Sequence, residues 1–150
     1  MRLHHLHRSQ VLPVSLVEAW QFFASPLNLP LITPPWLNLA AEGEVPDRMF
    51  PGMINLYRVK PFFGMPVTWI SEITHIDAPH YFVDEQRFGP YRFWQHQHRF
   101  RAVTGGTEMI DTVFYSLKYG LIGTLMHVFL VRRRLEEIFT FRQRALDRIF

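Results

Sequence analysis

The last thirty residues, Leu121 to Phe150, constrain this chain most. They contain no Pro, and their one Gly, Gly123, sits near the start. Apolar side chains recur at helical spacing: Leu121, Leu125, Val128, Val131, Leu135, Ile138, Phe139, Leu146, Ile149 and Phe150. At roughly 100° per residue they fall in one broad stripe. Arg133, Glu136, Glu137, Thr140, Arg144, Asp147 and Arg148 lie opposite. A helix of that length runs about 45 Å and needs a broad apolar partner.

The preceding chain supplies one, because most of it reads as strands. Leu3 to Leu12 has strand character and ends at Pro13. Ser15 and Glu18 form a capping box that opens a short amphipathic helix through Phe23. Ser25-Pro26 stops it, and a second short helix is expected over Leu27 to Ile32, closed by Thr33-Pro34-Pro35. From Trp36 the period changes. Strands are expected over Trp36–Glu42, Met53–Phe63, Val67–Ile76, Tyr81–Phe88, Arg92–Val103 and Thr107–Lys118. Short turns separate them, which points to an antiparallel meander. The expected fold class is α+β, as a single domain over residues 1–150. In it a strongly curved antiparallel sheet of about seven strands wraps round the C-terminal helix, with two short helices after the first strand.

Composition narrows the partners. With 48% hydrophobic and 15% aromatic residues, the chain can bury a real core. The formal charge is only +3, and the one basic run, Arg132 to Arg134, is followed at once by Glu136 and Glu137. That is a solvated helix face rather than a nucleic-acid groove. There is no Cys, so disulfides and thiolate chemistry are excluded. The start lacks the apolar core of a signal peptide, and the longest apolar run, Leu125 to Val131, is too short to span a bilayer. A soluble, cytoplasmic protein with no integral membrane segment is expected.

Several stretches carry a resemblance: Asn28 to Leu37, Trp69-Ile-Ser-Glu-Ile73, Phe82-Val-Asp-Glu-Gln86, Gly89-Pro90, Trp94-Gln-His-Gln-His98 with Phe100, Gly106-Thr107, Asp111 with Tyr115, and Leu135 to Phe139. In these the chain resembles the SRPBCC (START / Bet v 1-like, helix-grip) superfamily, and within it a bacterial stand-alone subgroup. Some members of that subgroup carry the label cell-division inhibitor. The resemblance implies a cavity between sheet and helix for a hydrophobic or amphipathic small molecule, such as a lipid or polyketide. Superfamily members include carriers, cyclases and co-chaperones, so fold alone selects no activity.

Strand alternation nominates the polar residues of that cavity. Trp94, His96, His98 and Phe100 share one face, and the Gln and Arg residues between them share the other. On the last strand Asp111 and Tyr115 share a face with Met109, Val113 and Leu117. Phe82, Asp84 and Gln86 go together, and the opposite parity would give Glu85 instead. Three readings stay open. The groups form a buried hydrogen-bond network that fixes the sheet. Or they form the polar end of a ligand pocket walled by Trp36, Trp69, Trp94, Phe100, Met126 and Phe139. Or they catalyse, with an Asp–His pair as general base and Tyr115 as acid or oxyanion donor. We expect a binder rather than an enzyme, with a cyclase or hydrolase using His96, His98 and Asp111 as the alternative. No cofactor is expected. His96-x-His98 with Asp111 is compatible with a metal, but no fourth ligand is evident, so none is assigned. His4, His5 and His7 read as solvent-exposed.

Ile122, Met126, Phe129 and Leu130 lie off the main stripe. Coverage of this back face by the loop around Trp36 is expected. The alternative is an exposed patch for a homodimer, a protein partner or a membrane surface.

Overall fold

The capping box forms as the sequence demands. Ser15 Oγ accepts from the Glu18 amide at 3.2 Å, and the Ser15 amide donates to Glu18 Oε2 at 3.0 Å. This starts helix α1, Leu16–Phe23, directly after strand β1, His4–Leu12. The computed structural model describes all residues but Tyr119, and leaves out the side chains of Gly123, Met126, His127 and Val128. Met126 as a pocket wall or partner contact therefore lies outside the described side chains.

Pro26–Ile32 winds as a 3-10 segment rather than an α-helix. Pro30 sits inside it and offers no amide for an α-helical bond. Pro35–Leu37 is a further 3-10 turn, ended by Asn38 in the left-handed region at φ 51°. This turn takes up residues that were expected to open a strand. What remains of that strand is β2, only Ala40–Ala41, because the 3-10 turn and the left-handed Asn38 take up its first half.

The other strands are β3 (Ile54–Phe62), β4 (Met65–Asp77), β5 (Tyr81–Phe88), β6 (Tyr91–Val103) and β7 (Gly106–Leu117). With β1 and β2 they form one seven-stranded sheet, order β1-β7-β6-β5-β4-β3-β2, antiparallel throughout. Register shifts at Val59/Phe62, Ile70/Ser71, Ile73/His75 and Tyr91/Phe93 insert bulges that bend it. The sheet's inner face closes on helix α3, Arg132–Ile149, through Leu135, Phe139, Arg142, Ala145 and Leu146.

The C-terminal helix is not uniform. A first segment, α2 (Gly120–Met126), passes into a π-helical turn, His127–Val131, before α3. A π turn adds a residue to the winding, so a projection drawn as one straight helix loses phase across it. Among the described residues the inward stripe begins at Val131, and Leu121 and Leu125, expected inside, lie exposed. The back face is exposed too: Ile122 and Phe129 are 66% and 76% accessible. This corrects the expected coverage by the Trp36 loop. Trp36 packs lower down, beneath the Arg134 guanidinium at 4.7 Å from its ring centroid. Phe129→Asp should therefore leave stability within ~0.5 kcal/mol of wild type in urea unfolding. A larger loss would show that the side chain is packed.

Among the described residues no helix is long and apolar enough to cross a membrane. Two apolar clusters fill the interior. One gathers Phe23, Ile32, Met53, Phe82, Phe100 and Leu146. The other gathers Leu6, Tyr91, Trp94, Tyr115, Leu135 and Phe139.

Candidate functional site

A polar cluster lies beside both apolar clusters. On β6, alternation sends Trp94, His96, His98 and Phe100 to the buried face. β7 places Asp111 opposite His98, and β5 places Asp84 opposite His96 and Phe82 opposite His98. Helix α3 brings Arg142 down from above. Phe82 stacks on the His98 ring at 3.9 Å and 9°, and Phe139 meets the His96 ring at 5.5 Å.

The contacts form a short relay. Asp111 is 1% exposed, and its Oδ1 lies 3.0 Å from both His96 Nε2 and His98 Nδ1. Its Oδ2 lies 3.4 Å from Arg142 Nε. On the other side His98 Nε2 meets Asp84 Oδ2 at 2.8 Å, and His96 Nδ1 is 3.6 Å from the same oxygen. Asp111 is thus the sealed back of the cluster and Asp84, with a side chain 22% accessible, its front.

The electrostatics follow from these contacts. Burial opposes the charge on Asp111, but Arg142 and then the two imidazoles hold its carboxyl well below the ordinary value. Asp84 is lowered as well: burial works against it, and the His98 hydrogen bond together with the charges of His96, His98 and Arg142 outweighs that. Burial also opposes charge on His98, yet its bonds to Asp111 and Asp84 raise its pKa. His96 goes the other way. Burial and repulsion from His98 lower it, so it is the neutral partner of the pair.

Asp84, His96, His98 and Arg142 face a cavity of about 240 Å³. The rest of its wall is mostly apolar, including Phe23, Ile32, Met53, Trp69, Trp94 and Phe139. Tyr57, Asn55 and Ser71 add polar atoms from β3 and β4. Burial, then the charge on Asp84, pushes the Tyr57 hydroxyl up to about 12, so it stays a neutral donor. The loop before β3 closes the wall, with the Met49 amide bonded to the Ala24 carbonyl at 2.8 Å.

Of the residues nominated from sequence, Trp69, Asp84, Trp94, His96, His98 and Phe139 line this cavity. The parity at β5 resolves to Asp84, while Glu85 accepts from Gln95 at 2.8 Å. Asp111 sits behind the wall. Phe100 is packed in the core away from it, with the Phe23 ring at 5.1 Å. Gln86 is used for structure: its side chain bridges the amide and carbonyl of Tyr91 at 3.2 and 2.9 Å. Tyr115 lies among Tyr91, Trp94 and Leu6, outside the polar cluster. Trp36 is on the surface, 40% exposed. Arg142, Tyr57, Asn55 and Ser71 were not foreseen. Arg142 had a readable signal, since it stands seven residues after Leu135 and four before Leu146, inside the apolar stripe.

These elements define a helix-grip protein with a cavity between sheet and helix. Comparison with solved structures agrees on the fold. The Thermus thermophilus protein TTHA0849 superposes with a TM-score of 0.71 at 17% identity, over 97% of this chain and 95% of that one. The Panax ginseng major latex-like protein 151 gives 0.69 at 10% identity, over 96% and 95%. The Mycobacterium smegmatis protein Ms6760 gives 0.65 at 17%, over 100% and 99%. No family model and no curated protein matches the chain. The chain therefore shares the fold of these three proteins, a curved antiparallel sheet closed on a C-terminal helix.

Proposed function

We propose that this protein binds a hydrophobic or amphipathic small molecule between the sheet and α3. The observation that carries this reading is the cavity itself. It has about 240 Å³ of space, a mostly apolar wall and polar groups gathered on one side. An engineered apolar cavity of about 150 Å³ holds benzene, so by simple scaling this one takes about ten non-hydrogen atoms. A bicyclic aromatic or a medium-length acyl chain has that size. One end of the ligand would meet Asp84, Tyr57, His98 and Arg142, which together offer donors and an acceptor.

Catalysis is the second reading, favoured by one contact. The 3.0 Å bond from His96 Nε2 to Asp111 leaves Nδ1 on the Asp84 side, where a general base would be needed. A cyclase or hydrolase step would use that nitrogen.

Native mass spectrometry of the purified protein tests binding, with organic extraction of anything released. We expect a small apolar adduct. Ser71→Phe places a ring into the cavity from β4, so the variant should fold and lose the adduct. A wild-type protein that carries no adduct, and whose melting temperature no apolar ligand raises, would overturn the reading. Turnover of the extracted compound, lost in His96→Gln, would select catalysis.

A further inference from the structure

We propose that Asp84, His96 and His98 form a binding site for a first-row divalent transition metal at the polar wall of the cavity, with its remaining coordination positions open to the cavity.

The donors suit such an ion. Two imidazoles and one carboxylate are the set used for zinc and for iron(II) with open positions. One ligand atom from each of the three residues lies within 4.8 Å of the other two. Atoms bound at about 2.1 Å to a common ion sit about 3.0–3.4 Å apart in octahedral or tetrahedral geometry. Here His96 Nδ1 and His98 Nε2 lie 3.6 and 2.8 Å from Asp84 Oδ2, so small side-chain adjustments bring them into range.

The surroundings are the stronger argument. A metal-bound imidazole is normally oriented by a carboxylate on its other nitrogen. Asp111 does this for both rings at once, through Oδ1 at 3.0 Å from His96 Nε2 and His98 Nδ1. Protons held there leave His96 Nδ1 and His98 Nε2 to face Asp84. In the metal-free protein a proton joins His98 Nε2 and the Asp84 oxygen at 2.8 Å. A divalent ion would displace that proton and sit to one side of the pair, bound to both atoms. Arg142 neutralises Asp111 from behind, so the outer carboxylate does not compete as a ligand.

From sequence, Asp111 stood as the third ligand beside His96 and His98, and no metal was assigned because no fourth ligand was evident. The strand registers make Asp84 the ligand and Asp111 the support.

The test uses the untagged full chain, stripped with chelator and titrated with Co²⁺. We expect visible absorption bands that saturate at one equivalent and are abolished by Zn²⁺. Asp84→Asn, a change at the cavity wall, should weaken binding by at least about tenfold, the low end of what even outer-shell changes cost. His5→Ala with His7→Ala, exposed on the outer face of the first strand, should change nothing. X-ray absorption of the wild-type Co²⁺ protein should show two imidazoles bound, which tests the site without any variant. A protein that gives no bands, or whose binding survives Asp84→Asn but vanishes with His5 and His7, overturns the proposal. The metal site does not depend on the apolar ligand: either can fail while the other holds.

Discussion

Asp111→Ala lowers the folding free energy by about 3–5 kcal/mol, the usual cost of removing one partner from a buried charge pair. The reason is what the change leaves behind. Arg142 is 8% exposed and faces Asp111 Oδ2 at 3.4 Å. Without the carboxylate its guanidinium stays buried with only Asp84 across the cavity as counter-charge, over the rings of Phe23 and Phe139. The nitrogens of His96 and His98 at 3.0 Å lose their acceptor as well. For a chain of this length the melting temperature should fall by on the order of 10 °C. Asp111→Asn keeps the shape and one acceptor, so its loss should be smaller. Adding Arg142→Met to Asp111→Ala should return part of the stability, because an apolar side chain replaces the orphaned cation. Urea unfolding of wild type, Asp111→Ala, Arg142→Met and the double variant closes the cycle. If Asp111→Ala costs less than about 1 kcal/mol, the cation finds water and the cluster is not a structural keystone.

Strand alternation carried the reading of this cluster a long way. Along Trp94 to Phe100 the sequence alternates apolar or His with Gln and Arg, and the period of two allows only one inner face. His96, His98 and Asp111 are buried accordingly. What alternation cannot supply is the register between strands. Whether Asp84 or Asp111 fronts the cavity depends on how β5, β6 and β7 align, and the bulge at Tyr91/Phe93 shifts the β6–β7 alignment. Arg142 escaped for a different reason. A charged residue inside an apolar stripe reads as a gap in the stripe until a buried carboxylate is known to face it. The start of the C-terminal helix was misread because the π turn at His127–Val131 changes its phase. Nothing in the residue pattern marks such a turn, since Val128 to Val131 are all apolar and no Gly or Pro interrupts the segment. The strand expected after Trp36 failed for a local reason that was legible, the pair Pro34-Pro35.

Gly106→Ala should cost more than any other glycine substitution in the β6–β7 turn. Gly106 opens β7 at φ +147°, a region L side chains rarely adopt, and that strain alone is worth about 1–3 kcal/mol. Its neighbours add to this. A Cβ there would overlap the Leu12 carbonyl oxygen and come within 3.1 Å of Pro13 Cα. Both are backbone, so no rotamer change relieves the contact. The end of β1 must instead move off β7. Leu12, 1% exposed, pairs with Thr107, whose hydroxyl donates to the Val14 carbonyl at 2.9 Å. Displacing β1 therefore breaks a sealed corner of the core. Gly105→Ala is the matched control: its φ is +90°, but nothing lies within 4 Å of its added carbon. The Gly105 change should show backbone strain alone, and the Gly106 change strain plus the close approach. The melting temperature of Gly106→Ala should fall clearly below that of Gly105→Ala. Equal values would mean that β1 yields at no cost. The effect should also reach the candidate site, because Asp111 is held on β7 with Arg8 of β1 as its register partner. A Gly106→Ala protein that still folds should lose part of its Co²⁺ affinity, whereas Gly105→Ala should retain it.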